Sequence, residues 1–307
     1  MKGVDLRGII PAIATPMTAS GEIDLPAMRR YVEWLIPQGP IALAVNMDTG
    51  EGPHLTSDEK QRLLETVVDA VNGRCRVVAG AAGPSTASGV ASARAAQAAG
   101  ADALVVFPIP AFLGQPLKPE VAYHYHAAIA EAADLPLMLF NLQPTLGGVL
   151  YEAEVLHRLI SIPSVTAIKE ASFDAMRFLQ VKAALETAPR RITLLTGNDN
   201  FIFESFVLGA EGTLLGFSTI GTREQVEMLA AWRRGDIETA RSLGARLQPL
   251  ADVIFAAPVT DYRARTKEAL AMLGVFDCTY VRPPLLPVDE AERTTIRRAL
   301  ERAGLLA

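Results

Sequence analysis

In Val165-Thr-Ala-Ile-Lys169-Glu-Ala-Ser172 a short, largely apolar run, 165–169, ends on an amine. A run of this length, β-branched at its start, reads as a strand buried on both faces, which a parallel sheet beneath helices requires. Similar runs stand at 8–14, 41–45, 77–81, 103–107, 137–140, 192–196 and 213–215. Longer helical patterns separate them. The clearest begins with Thr56-Ser-Asp-Glu59, a capping box, and continues through Leu63, Leu64, Val67, Val68 and Val71, which share one helical face. The strand ends recur every ~20 to 35 residues, the length of a strand, a helix and two loops, and eight such repeats close a barrel. The expected fold is therefore α/β, a (β/α)8 TIM barrel over residues 1–222. After Leu215 the strand pattern stops, so residues 223–307 are expected to form a small C-terminal helical domain, with helices near 224–234, 238–255, 261–273 and 290–302.

Half of the 307 residues are hydrophobic and only 6% aromatic, so a large aliphatic core is easily supplied. A formal net charge of -5, with no run of Lys or Arg, gives no electrostatic footprint for nucleic acid or an anionic membrane. Neither is an expected partner. Pro11 and Pro16 break the first apolar stretch before it can serve as a signal segment, and nothing approaches the ~20 unbroken apolar residues of a spanning helix. The cysteines, Cys75 and Cys278, form no CxxC pattern, and a reducing cytoplasm is the expected location. His124 and His126 stand two apart on a helical pattern and cannot face one ion, so no metal site is expected.

In a barrel of this kind the site forms where the strands end, which makes the residues closing each apolar run the candidates. Lys169 closes the sixth run among apolar neighbours and would point into the barrel mouth if Val165 and Ala167 also face inward. Burial there would lower its pKa and free a neutral, nucleophilic amine. The same position suits a lysine that ends its strand in an ion pair with Glu170 or another carboxylate at the rim. The loop Met47-Asp48-Thr49-Gly50-Glu51 offers backbone N–H groups and a hydroxyl for a carboxylate, or is simply a glycine turn. Asn141 and Thr196-Gly197-Asn-Asp199 add polar groups at the ends of the fifth and seventh runs, where each is equally a cap or a turn.

These strand ends, taken in order, resemble the dihydrodipicolinate synthase and N-acetylneuraminate lyase family of pyruvate-dependent aldolases. The features that carry the resemblance are Thr15-Pro16, Thr49-Gly50-Glu51 with Leu55-Thr56 and Glu59, Asn141, Ile168-Lys169-Glu170, Thr196-Gly197-Asn-Asp199, and 267–273 followed by Arg282-Pro-Pro. The likeness spans nearly the whole chain. It implies a lyase acting on a small 2-oxo acid, such as pyruvate or a 2-keto-3-deoxy acid, through a Schiff base on Lys169, with no cofactor. It further implies that Thr49 and Gly50 hold the substrate carboxylate, that Phe140, Asn141 and Gly197 line the same site, and that the chain assembles as a homotetramer.

The chain also departs from the family pattern. Where the family has Gly-Thr-Thr-Gly-Glu, the first threonine is replaced by Asp48, and where it has Tyr-Asn-Val-Pro this chain has Phe140-Asn141-Leu142-Gln143. The arginine that meets a second carboxylate corresponds to Thr145, and the Tyr-Tyr lent across a dimer to Ile109-Pro110. Dihydrodipicolinate formation is therefore not the expected reaction, and Asp48 is the expected replacement for the missing proton relay. A barrel that binds a 2-oxo acid without turning it over, and a synthase with an altered relay, are the alternatives.

Overall fold

The computed structural model describes residues 4–114 and 116–306. Among them, eight strands form one parallel sheet: β1 (Ile9–Pro11), β2 (Ala42–Val45), β3 (Arg76–Ala81), β4 (Ala103–Val106), β5 (Leu137–Leu142), β6 (Val165–Ala171), β7 (Thr193–Thr196) and β8 (Gly212–Leu215). From β2 to β8 each pairs with its sequence neighbour, and β8 pairs with β1. A parallel bridge between Ala12 and Ala44 closes the circle. The TIM barrel expected from the eight apolar runs is thus the observed fold.

Helices α1 (Leu25–Leu35), α2 (Ser57–Val71), α3 (Thr86–Ala98), α4 (Pro119–Ala132), α5 (Ala153–Ile160), α6 (Ala175–Glu186), α7 (Ile202–Leu208) and α8 (Thr222–Arg233) alternate with the strands. Three more follow, α9 (Ile237–Ile254), α10 (Tyr262–Met272) and α11 (Glu290–Arg302). Helix α8 straddles the expected division at 222/223, since it packs on β1 and α7 on one side and on α9 on the other.

Alternation along each strand sorts side chains into two layers. Ile10, Ala44, Val78, Val105, Met138, Ala167, Leu195 and Leu214, one per strand, fill the barrel. Their neighbours Ile9, Leu43, Val77, Leu104, Leu139, Ile168, Leu194 and Leu215 pack outward under the helices. One expectation needs correction. Val165 lies in the outer layer, because the register of β5 on β6 slips between Leu137 and Met138, pairing Leu137 with Val165 but Met138 with Ala167. Ala167 and Lys169 therefore face inward while Val165 does not.

Helix α10 is buried on every side from Tyr262 to Leu270, although it carries Arg263, Arg265, Lys267 and Glu268. Each charge has a partner: Arg263 meets Asp48, Arg265 meets Glu292, Lys267 meets Glu51, and Glu268 meets Arg293. Lys267 and Glu51 are both wholly shielded from solvent, and the lysine also donates to the Tyr280 carbonyl at 2.7 Å. Removing one member of such a pair strands a bare charge in the interior. Lys267→Ala is expected to cost about 3–5 kcal/mol of unfolding free energy, read from urea denaturation, where breaking an exposed pair costs below about 1 kcal/mol.

Candidate active site

Lys169 ends β6 on the inner face and is 7% exposed. Its ammonium nitrogen lies 4.2 Å from the centre of the Phe140 ring, which Phe107 meets edge-on at 5.0 Å. Phe140 stands opposite Lys169 in the β5–β6 register. Burial lowers the lysine pKa from its ordinary value to about 8, against the opposing pull of the Asp199 and Asp48 carboxylates. Asp199 is shifted the other way. Burial raises it to about 7, opposed by the Phe217 N–H at 2.8 Å and by Lys169 itself. Gly197 lies against the lysine stem, and a Cβ there would sit 2.7 Å from Lys169 Cε and 2.7 Å from Ala171 Cβ.

Behind the lysine, Glu170 points outward and is fully buried. It accepts from Asn198 Nδ2 at 2.6 Å, Ser172 N at 3.1 Å and Asn141 Nδ2 at 3.2 Å, which ties the ends of β5, β6 and β7 together. Burial raises its pKa in spite of these bonds. Asn141 belongs to this brace, and its Oδ1 also accepts the Tyr151 N–H at 2.7 Å. The structure thus does not place the Asn141 amide beside the Lys169 amine.

Across the barrel, the loop after β2 is folded against its own preferences. Asn46 and Glu51 both hold left-handed backbone, at φ 58° and 57°, which costs a residue with a Cβ roughly 1–3 kcal/mol. A Cβ on Gly50 would lie 2.7 Å from the Ile13 carbonyl, and the Gly50 carbonyl accepts from Thr15 Oγ1 at 2.7 Å. The Gly50 N–H is directed to Met47 O at 3.2 Å, whereas the Thr49 N–H donates to no acceptor among the described residues. Of the two N–H groups that the sequence offered for a carboxylate, that of Thr49 is therefore the one without an acceptor among the described residues.

Asp48 is not a free carboxylate. Arg263 Nη2 reaches both of its oxygens at 2.6 Å, Arg263 Nε donates to its carbonyl at 3.1 Å, and the Tyr262 hydroxyl donates to Oδ2 at 2.8 Å. The Tyr262 oxygen also lies 3.3 Å from Thr49 Oγ1. Tyr262 stacks on Phe255 with ring centres 4.7 Å apart, and Phe255 in turn meets Phe173 at 6.1 Å. A Cβ on Gly216, just past β8, would come within 3.0 Å of both Phe255 and Thr49, so these side chains converge over that glycine. Thr145, on the loop after β5, is exposed and bonded to Gln143.

The structure thus brings Lys169, Phe140 and Gly197 together on one side of the mouth and Asp48, Thr49 and Gly50 on the other. Sequence reading missed Tyr262 and Arg263, which arrive from α10. Among the described residues no group of three or more His, Cys, Asp or Glu side chains is placed to hold a metal ion, and no helix is long and apolar enough to cross a membrane.

A lysine closing a barrel strand, backed by a carboxylate brace and facing a glycine turn, invites comparison with known enzymes. Residues 5–303 match the family model described as the dihydrodipicolinate synthetase family. The chain belongs to the dihydrodipicolinate synthetase family. It is similar to the 4-hydroxy-tetrahydrodipicolinate synthase of Acidiphilium cryptum, at 32% identity over 98% of this chain and 99% of the relative. Against the enzyme of the same name from Kineococcus radiotolerans it is 35% identical over 97% and 93%. Among solved structures, a prophage protein of the dihydrodipicolinic acid synthase family from E. coli K12, in complex with pyruvate, superposes with a TM-score of 0.90 at 26% identity, over 98% of this chain and 99% of that one. The chloride-inhibited dihydrodipicolinate synthase of Acinetobacter baumannii, complexed with pyruvate, gives 0.86 at 29% identity, over 98% and 100%. Dihydrodipicolinate synthetase family members are lyases of the class I, lysine Schiff-base type, and this chain is an enzyme of that class.

Two outcomes follow from this geometry. The rate of adduct formation between Lys169 and a carbonyl ligand, followed by rapid quench and peptide mass, is expected to rise about tenfold per pH unit below about 8 and to level off above it, because only the neutral amine attacks. Gly197→Ala is expected to reduce that rate by at least tenfold at every pH while the protein stays folded by circular dichroism, since the added methyl displaces the lysine stem.

Proposed function

We propose that this chain forms a Schiff base between Lys169 and a small 2-oxo acid, such as pyruvate or a 2-keto-3-deoxy acid, and through it carries out aldol cleavage, condensation or dehydration without a metal or organic cofactor. One observation carries the reading: the Lys169 amine sits buried over Phe140 at the closed end of the mouth, with its pKa drawn down to about 8. A substantial fraction is therefore neutral at physiological pH and able to attack a ketone.

The nitrogen lone pair forms the C–N bond and the carbonyl oxygen takes a proton. Water then leaves to give the imine. Once protonated, the imine draws electrons from the neighbouring bond, so a carbanion at C3 is held as the neutral enamine. The Thr49 N–H, which donates to no acceptor among the described residues, supports the substrate carboxylate at the Gly50 turn. That anion would meet the Asp48 carboxylate nearby, and Arg263 offsets the repulsion by neutralising Asp48 in a two-oxygen contact.

The relatives named above are synthases of 4-hydroxy-tetrahydrodipicolinate, and the side chains here favour a different partner for the enamine. Phe140 brings no hydroxyl to β5, Thr145 brings no cation, and Arg263 is committed to Asp48. Phe140, with Phe107 edge-on behind it, lies against the lysine, and the charged groups that act on the amine are the carboxylates of Asp199 and Asp48, with no cation placed for a second substrate carboxylate. The reading also takes the enzyme to be a homotetramer acting in the cytoplasm, and Met176, Leu179 and Val207 offer exposed apolar surface on α6 and α7 to other copies.

Pyruvate with sodium borohydride is expected to add a reduced pyruvyl mass to the tryptic peptide holding Lys169 and to none in Lys169→Ala; labelling that persists in the variant rejects the assignment. In a coupled assay with pyruvate and aspartate semialdehyde, turnover is expected to fall about 10²- to 10⁴-fold below that of a synthase carrying the β5 phenol. Synthase-like turnover would restore the relatives' reaction to this chain.

A further inference from the structure

Thr49 Oγ1, Tyr262 Oη and Asp48 Oδ2 form a continuous run of hydrogen bonds at the barrel mouth, with steps of 3.3 Å and 2.8 Å. The phenol has a single proton, and it points at Asp48 Oδ2. The Thr49 hydroxyl must then be the donor in its contact with Tyr262, which leaves the Thr49 oxygen open to accept on its other side. The run therefore has a direction, from the mouth inward to a carboxylate. Both hydroxyl residues are buried, at 4% and 3% exposure, so bulk water does not compete for the bonds. Arg263 grips both oxygens of Asp48, and Phe255 stacks on the phenol ring, so the far end is fixed in place.

We infer that Tyr262 is a relay residue of this active site, passing the proton released at C3 of the bound 2-oxo acid from Thr49 to Asp48 and returning it later in the cycle. The inference rests on the Schiff-base reading of Lys169. When the iminium is converted to the enamine, the C3–H bond breaks, its electron pair becomes the C2=C3 double bond, and the C=N pair moves onto nitrogen. The proton goes to Thr49 Oγ1, the threonine proton passes to the Tyr262 oxygen, and the phenol proton passes to Asp48 Oδ2. Nothing is oxidised or reduced, and reversal of the three hops delivers the proton to an enamine carbon or a departing oxygen. Burial and the Asp48 charge keep the Tyr262 pKa well above its ordinary value, so the phenol conducts a proton without resting as phenolate. Asp48 is then the terminus of the relay, held by Arg263, in place of a carboxylate acting directly on substrate.

The test uses the full-length enzyme with pyruvate as probe and two readouts: borohydride trapping on Lys169, and exchange of the pyruvate methyl protons in D2O followed by NMR. Tyr262→Phe keeps the ring and removes the hydroxyl. It is expected to trap pyruvate with wild-type yield and half-saturation while exchange falls by about 10²-fold or more. Exchange within threefold of wild type, with trapping intact, overturns the relay. So does parallel loss of trapping and exchange in a folded variant, which would make Tyr262 a support for the loop alone. Absence of trapping in the wild-type enzyme refutes the Schiff-base reading itself, and the relay with it. Should Tyr262→Phe not fold, Tyr262→Ala supplemented with phenol or with benzene decides the matter: recovery of exchange with phenol alone supports the relay, and equal recovery with both, or with neither, overturns it.

Discussion

The pair formed by Lys267 and Glu51, both wholly shielded from solvent, governs how this active site is assembled. Glu51 belongs to the loop after β2 and carries left-handed backbone, while Lys267 lies mid-way along α10, more than two hundred residues later. Neither charge tolerates the interior alone, since burial already pulls the lysine pKa down and the partner carboxylate is the chief group opposing it. Each therefore enforces the position of the other. The loop that supplies Thr49 and Gly50 is consequently unable to relax to an ordinary turn without exposing or stranding a charge.

Around that pair the same logic repeats. Arg282 contacts both oxygens of Glu59 and the carbonyls of Gly21 and His54, and its own N–H donates to Glu51 Oε2 at 2.8 Å. Glu59 meanwhile closes the capping box that starts α2, and Arg282 holds its pKa down near 2. The strained loop, the first turn of α2 and the C-terminal segment are thus one connected polar structure over the β1–β2 side of the mouth. On the opposite side Glu170 plays the comparable part with neutral partners, tying three strand ends behind Lys169. Phe173, at φ 61°, is kept in its unfavourable backbone by Asn198 Oδ1 and Asn200 Nδ2, which bond its N–H and carbonyl. The Lys169 amine sits between two rigid walls, as the preorganised catalysis proposed for it requires.

The barrel was readable from the chain because its signal is local. Each strand is a short apolar run, several helices carry their own caps, and the spacing alone counts to eight. The Thr56–Glu59 capping box and the helix at 290–302 fall where the residues place them. Lys169, Phe140 and Gly197 were also legible, since they lie at strand ends that the fold converges. What was not legible came from long-range pairing. The stretch Arg263-Ala-Arg-Thr-Lys267-Glu has no apolar periodicity and reads as a solvated helix surface, yet it is among the most deeply buried segments of the protein. A buried charge is decided by whether its partner exists elsewhere, and Asp48, Glu51, Glu292 and Arg293 give no hint of that in their own surroundings. Asn141 shows the converse: its place at a strand end suggested the site, but strand alternation turns it outward to Glu170. Val165 misled for a still smaller reason, one slip in register between β5 and β6.

The opposite pKa shifts of Lys169 and Asp199 bear on how the site carries charge. Burial favours the neutral form of each, an amine and a carboxylic acid, and an approaching 2-oxo acid then brings one negative charge into a cavity with no net charge from this pair. On the Schiff-base reading the lysine next becomes an iminium, a cation that titrates differently from the amine it replaces. That charge can be balanced in two ways, by the substrate carboxylate at Thr49 or by ionisation of Asp199. As the enamine forms the nitrogen loses its charge, and the proton from C3 must settle on a group that gains by accepting it. Asp199 lies on the lysine side of the barrel and Asp48 on the loop side, so the two carboxylates face the same nitrogen from different elements. Arg263 distinguishes them. It fixes Asp48 at the end of a hydroxyl chain, while Asp199, held by backbone N–H groups, stands where its ionisation follows the charge on Lys169.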